Sequence, residues 1–133
     1  VYCICGDGEI EEGQIWEAAM SSSKYKLDNL CLIIDNNNLQ IDGTIEEVMS
    51  SYPIDDKFKS FGFNVITING HDFSQILQAF EEAKNCKDKP TAIIAKTIKG
   101  KGITFMENQV GWHGKAPSQQ EYEQAIKELE REN

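Results

Sequence analysis

The chain has 133 residues, 40% of them hydrophobic, which suits one globular domain at most and argues against a disordered segment. Its formal net charge is −9 and its pI about 4.7, with no basic stripe, so nucleic acid is not an expected partner. No signal-peptide pattern occurs and no apolar run approaches about 18 residues, so no membrane span or membrane partner is expected. Four cysteines, Cys3, Cys5, Cys31 and Cys86, form no metal-binding spacing. Cys3 and Cys5 read as small buried hydrophobes on one face of a strand, and a reduced, cytoplasmic setting follows.

The first apolar run, Val1 to Cys5, ends at Gly6-Asp7-Gly8. The second, Leu30 to Ile34, ends at an Asn-rich loop running from Asp35 to Gly43. Runs this short, bounded by Gly, Asp and Asn, read as buried parallel strands. Between them Glu11 to Lys24 reads as a helix with Ile15, Ala18, Ala19 and Ser22 at helical spacing. Ile45 to Gly62 holds one amphipathic turn, Ile54, Phe58 and Phe61, closed by Gly62. Val65 to Ile68 is a third strand, followed by a helix capped by Asp72 and Gln75 with Phe73, Ile76, Leu77, Phe80 and Ala83 on one face. His71 stands at that strand-to-helix junction, where a turn histidine making local hydrogen bonds is the simpler reading. Pro90 introduces a fourth strand, Thr91 to Ala95, and a capping box from Ser118 to Glu121 opens a last helix with Tyr122, Ala125, Ile126 and Leu129. Strands alternating with helices make this an α/β fold with a parallel sheet flanked by helices.

In such a fold Gly6-Asp7-Gly8 and the Asn run both fall at carboxyl ends of strands, the edge where ligands bind. Asp7 offers a carboxylate, Asn37 an amide oxygen and Leu39 a backbone carbonyl, all hard oxygen donors suited to Mg²⁺ or Ca²⁺. One carboxylate is too little charge to hold Mg²⁺ alone, so phosphate oxygens and water are expected to complete its shell. Gly6 and Gly8 allow close backbone approach to a phosphate, and a helix after Gly8 would point its positive end there. The metal reading of the Asn run competes with ordinary turn geometry, and Ile41 is a candidate apolar contact for a ligand ring or a loop-packing residue. Lys96, Lys99 and Lys101 lie on a glycine-containing loop and read equally as a phosphate clamp or as solvated lysines.

Several of these stretches together resemble the transketolase family. The GDG and Asn motifs resemble a thiamine-diphosphate motif. Glu11 to Ala19, Lys26 to Leu30 and Asn37 to Gly43 are similar to transketolase, and Lys96 to Gly102 with Gly111 to Pro117 is similar to its split-subunit form. The resemblance runs from Val1 to Asn133 and implies a thiamine-diphosphate-binding fold, one domain over residues 1–133. Because the family has a long segment before GDG and the chain opens inside a strand without Met, it is expected to be the later portion of an N-terminal half. The resemblance implies cofactor contacts by Gly6, Asp7, Gly8, Asn37, Leu39, Ile41 and His113, with Mg²⁺ (or Ca²⁺) on Asp7, Asn37 and Leu39.

His113 is implied to lie near the diphosphate and the reacting end of the cofactor, as hydrogen-bond donor or proton-transfer partner. Glu12 and Glu17 match positions where the family turns carboxylates toward a subunit interface; helix-dipole complementarity is the alternative for Glu12. Trp16 and Trp112 read as packing residues. The implied activity is transfer of a two-carbon ketol unit between sugar phosphates, in a homo- or hetero-oligomer with a C-terminal transketolase half, without which the chain is inactive. The alternatives are a 2-oxoacid dehydrogenase component or a deoxyxylulose-phosphate synthase, against which the Gly111-Trp112-His113-Gly114 stretch argues, or a non-catalytic binding or assembly domain.

Overall fold

A computed structural model describes residues 1–130. β1 (Tyr2–Gly6) leads through one 3-10 turn (Glu9–Glu11) into α1 (Gly13–Lys24), and β2 (Cys31–Asn36) follows. A small hairpin, β3 (Leu39–Gln40) and β4 (Gly43–Thr44), precedes the short helices α2 (Ile45–Val48) and α3 (Ile54–Ser60). β5 (Asn64–Asn69), α4 (Phe73–Asn85), β6 (Thr91–Lys96), a second 3-10 turn (Val110–Trp112) and α5 (Gln119–Leu129) complete the order. The four long strands form one parallel sheet in the order β1-β2-β6-β5, so the expected α/β architecture is the observed one.

Central strands explain the continuous apolar runs, since both of their faces are covered. β6 buries Thr91 to Ala95 without a break, and β2 buries Cys31, Leu32 and Ile34. On one face Leu32, Ile34, Ala92 and Ile94 meet Ile10, Ile54 and Phe58. Trp16 stacks on Phe61 at 5.4 Å between ring centroids and packs on Phe58 at 5.0 Å, which makes it the packing residue the sequence suggests. On the other face Cys31 and Ile93 meet Ala79 and Ala83 of α4. The register pairs Gly6 with Asp35, Asp35 with Ala95, and Lys96 with both Asn36 and Asn69. This brings the polar ends of all four strands to one edge.

Periodicity misjudges several exposures. β1 is an edge strand, and of the run Val1 to Cys5 only Cys5 is buried; Ile4 is 71% exposed and Cys3 is also exposed. α4 turns Ala79 and Ala83 to the sheet, because small side chains let the helix approach closely, and Phe73 and Leu77 are left 80% and 65% exposed. α5 buries Ala125 and leaves Tyr122, Ile126 and Leu129 largely exposed. The capping box expected at Ser118 is formed, and a second one forms at Thr44. Asp72 accepts from the Ser74 and Gln75 amides while Gln75 reaches back to the Asn69 amide at 2.9 Å.

At the start of α5 Glu121 accepts from Lys115 Nζ at 2.7 Å and from the Ser118 amide at 2.7 Å. The Lys115 ammonium first, then Ser118, hold the Glu121 carboxyl down at about 2, below its ordinary 4.5. A depressed folded value stabilises the fold above the ordinary value, and that contribution is lost as the pH falls toward 2. Glu121→Gln is expected to flatten this acid limb of the melting-temperature profile, read by circular dichroism.

Candidate functional site

At the carboxyl edge of the sheet Gly6, Asp7, Gly8, Asn37, Leu39, Ile41 and His113 all line one cavity of about 420 Å³. Glu9, Asp35, Gln40 and Lys99 complete its wall. A larger cavity of about 760 Å³ adjoins it on the α4 side and shares Asp35, Asn37 and Lys99. Isoleucines and Phe80 dominate that second space, whereas the smaller one collects the polar groups.

Asp7 is 1% exposed, and a carboxylate so buried requires donors. Its Oδ2 accepts from Asn36 Nδ2 at 2.8 Å and from the Asn38 amide at 2.6 Å. Asn38 takes the left-handed backbone region, φ 64°, which Asn tolerates and which belongs to the tight turn after β2. Asn36 is itself buried; its Nδ2 also donates to Tyr52 Oη at 2.9 Å, and its Oδ1 accepts from Lys96 Nζ. The lysine charge thus reaches Asp7 through an amide. Sequence reasoning missed Asn36, since nothing local distinguishes it from its Asn neighbours.

Asn37 Nδ2 donates to Asp35 Oδ2 at 3.3 Å, and its Oδ1 accepts from the Leu39 amide at 3.0 Å. Asp35 in turn accepts from the Thr97 hydroxyl. These bonds orient the Asn37 amide with its nitrogen toward Asp35. The Asn loop contains the β3–β4 hairpin, with Ile41 at its tip and 69% exposed. Packing within this chain therefore does not account for Ile41.

Two expectations change. The helix after Gly8 is a single 3-10 turn, and α1 starts only at Gly13, so no α-helix N-terminus directly follows Gly8. The cause lies in Ile10, drawn fully into the core, and in Glu9, whose Oε2 accepts from the Gly6 amide at 3.1 Å. A Cβ on Gly8 would stand 3.1 Å from Gln40 Cβ, tight enough that Gln40 would have to shift by a few tenths of an ångström. His71 makes more than local bonds: besides its amide donating to Asn69 Oδ1, its Nε2 accepts from the Ile98 amide at 2.8 Å, 27 residues away.

The three loop lysines separate in space. Lys96 serves Asn36, Lys101 lies 3.5 Å from Glu107, and Lys99 lines the cavity. His113 is exposed and follows the 3-10 turn that Trp112 anchors through its Nε1 bond to the Phe105 carbonyl at 3.1 Å. Lys115 Nζ lies 4.1 Å from the Trp112 ring centroid, so Trp112 is a packing residue. Cys5, buried at the end of β1, has its thiol pushed up to about 12 by burial and by the neighbouring Cys3 and Glu9, so it resists forming the reactive thiolate.

No group of three or more His, Cys, Asp or Glu side chains gathers as a metal site among the described residues. Asp35 and Glu9 are engaged by Thr97, Asn37 and Gly6, so Asp7, the Asn37 amide oxygen and main-chain carbonyls form the partial shell that fits a hard cation completed by phosphate and water. None of the described helices is long and apolar enough to cross a membrane.

The profile of the family described as transketolase, thiamine diphosphate binding domain, matches residues 1–132. The chain is 44% identical over 128 residues to an apulose-4-phosphate transketolase subunit of Phocaeicola vulgatus, covering 96% of this chain and 46% of that protein. It is 42% identical over 132 residues to the 6-deoxy-6-sulfo-D-fructose transketolase subunit SqwG of a Clostridium species, covering 99% of this chain and 48% of that protein. It thus spans about half the length of these relatives. The crystal structure of transketolase from Campylobacter jejuni superposes with a TM-score of 0.90 at 37% identity, covering 97% of this chain and 20% of that one.

Asn36→Ala would leave Asp7, Tyr52 and Lys96 each short of a partner. A loss of about 1–3 kcal/mol of stability is expected for a buried polar group left unmet. Urea unfolding measures it.

Proposed function

Because the chain belongs to the transketolase thiamine-diphosphate-binding domain family, we propose that its polar cavity binds the diphosphate of thiamine diphosphate through a divalent cation. The observation that carries this reading is Asp7: a buried carboxylate, held by Asn36 and Asn38, beside a cavity that also gathers Asn37 and Leu39. Both of these bonds to Asp7 fall on Oδ2, so Oδ1 is the oxygen to offer a cation. Asn37 Oδ1 and the Leu39 carbonyl are its companions, and Mg²⁺, or Ca²⁺ in its place, suits this hard set. Lys99 brings positive charge to the same cavity, which helps an acidic chain accept an anion. Exposed Ile41 supplies apolar surface for the cofactor rings.

The activity proposed is transfer of a two-carbon ketol unit between sugar phosphates. Bound thiamine diphosphate supplies the carbanion chemistry of that transfer. This chain orients the diphosphate and places His113 to hydrogen-bond a phosphate oxygen or exchange a proton with a sugar hydroxyl. Residues 1–133 act as one part of the cofactor domain in a cytoplasmic oligomer. Two relatives are named as subunits of transketolases, which supports a separate C-terminal half as partner. Glu12 and Glu17, both exposed, are available to that interface.

Asp7→Ala is expected to abolish Mg²⁺-dependent thiamine-diphosphate binding in the assembled enzyme, and Asn37→Ala to weaken it less, because only a neutral donor is lost. Calorimetry reads both, and undiminished affinity in Asp7→Ala would overturn the metal assignment. His113→Ala is expected to lower turnover by on the order of 10²–10⁴-fold if proton transfer is lost. Its cost in cofactor affinity should be only that of one hydrogen bond, about 0.5–1.5 kcal/mol if neutral and about 1.5–3 kcal/mol if charge-assisted. Steady-state kinetics at saturating cofactor separates the two effects, and wild-type turnover would return His113 to a structural role.

A further inference from the structure

Lys99 reaches the cavity from the segment that follows β6. Thr97 is tied to β2 through its hydroxyl to Asp35 and through its amide to the Asn36 carbonyl at 3.2 Å. The next residue, Ile98, has its amide bound to His71 Nε2 at 2.8 Å. Beyond it the loop braces itself. The Lys101 amide donates to the Ile98 carbonyl at 3.2 Å, and the Asn108 amide donates to the Lys99 carbonyl at 3.0 Å. The Gly102 amide donates to Glu107 at 3.1 Å. At its far side the loop is tied to α5, where the Thr104 amide donates to Glu128 at 2.7 Å and the Thr104 hydroxyl at 3.0 Å. At its near side, where Lys99 lies, its direction is set at the junction with β6 and the His71 turn.

The turn that carries His71 is pressed against that junction. The Gly70 amide donates to the Lys96 carbonyl at 2.8 Å, and a Cβ on Gly70 would stand 2.5 Å from Thr97 Cγ2 and 3.1 Å from Ala95 Cβ. Only glycine permits this approach, and it brings the imidazole within reach of Ile98. The His71 amide is fixed in turn by Asn69 Oδ1 at 3.0 Å. Since an N–H donates to Nε2, that nitrogen carries no proton, and the neutral ring holds its proton on Nδ1. The ring is a directional acceptor set on a turn that two other bonds hold in place.

From this geometry we infer that His71 is a positioning residue, which orients the loop through the Ile98 amide so that Lys99 stands at the wall of the cofactor cavity. The consequence for cofactor rests on the proposed function; the consequence for the loop does not. His71 is exposed, so its bond adds little to folding, and its effect falls on where the loop lies.

The test compares His71→Leu, which removes the acceptor, with His71→Gln, whose amide oxygen can take the place of Nε2, in the complete assembly. Hydrogen exchange at the Ile98 amide is expected to quicken in the Leu variant and to return near the wild-type rate in the Gln variant. Thiamine-diphosphate affinity with Mg²⁺ should fall about two- to tenfold in the Leu variant, as for one hydrogen bond, and recover in the Gln variant. In a Lys99→Ala background His71→Leu should cost no further affinity, because the residue through which it acts is gone. Unchanged Ile98 exchange in His71→Leu overturns the inference, as does an equal affinity loss with and without Lys99. Should the unaltered assembly fail to bind thiamine diphosphate, the proposed function falls, and the Ile98 exchange rates alone decide the role of His71.

Discussion

A carboxylate withdrawn from water must be met by donors or lose its charge, and Asp7 is withdrawn almost completely. Meeting that requirement orders much of the sheet edge. Asn36 has to present its amide nitrogen to Asp7, which turns its oxygen toward Lys96, at the end of the neighbouring strand. The Asn38 amide has to point the same way, which requires the left-handed turn after β2. That turn then sends the chain into the β3–β4 hairpin and sets Ile41 at the cavity rim. The parallel register makes the arrangement possible, since it pairs Gly6 with Asp35 and Asn36 with Lys96.

Charge is distributed under a related constraint. The chain carries 22 acidic and 13 basic residues, so a site for an anion needs its cations concentrated. Lys59 and Lys84 place theirs in exposed pairs with acidic residues one helical turn away, contacts of small energetic weight. The end of β6 and the loop after it carry Lys96, Lys99 and Lys101, and their partners differ: an amide, the cavity and a glutamate. Glu9 and Asp35 also border the cavity, so any anion brought there meets carboxylates on its own wall.

Much of this was readable from local pattern. The four strands, the α3 turn at Ile54 and Phe58, and the caps at Asp72 and Ser118 each depend on residues close in sequence. The gathering of Asp7 and Asn37 at one cavity followed from the rule that polar clusters end parallel strands, whereas His113 was expected near them only through the family resemblance. The exposures of Ile4, Phe73 and Leu77 were not readable. Periodicity marks an apolar face without saying whether a neighbouring element covers it.

The sequence by itself determined the four long strands and the longer helices, and that Gly6-Asp7-Gly8 and the Asn run terminate two of those strands. These are consequences of hydrophobic period, capping and turn chemistry, all of which act over a few residues. Only the tertiary structure decided that β6, the last strand in the chain, lies between β2 and β5, because pairing between distant strands leaves no mark in either one. The same holds for the choice of Asn36 to hold Asp7, of Lys99 among three lysines to line the cavity, and of His71 to take the Ile98 amide. Each is a contact between side chains or amides some 27 or more residues apart, or a direction in space, and composition and spacing are silent on both.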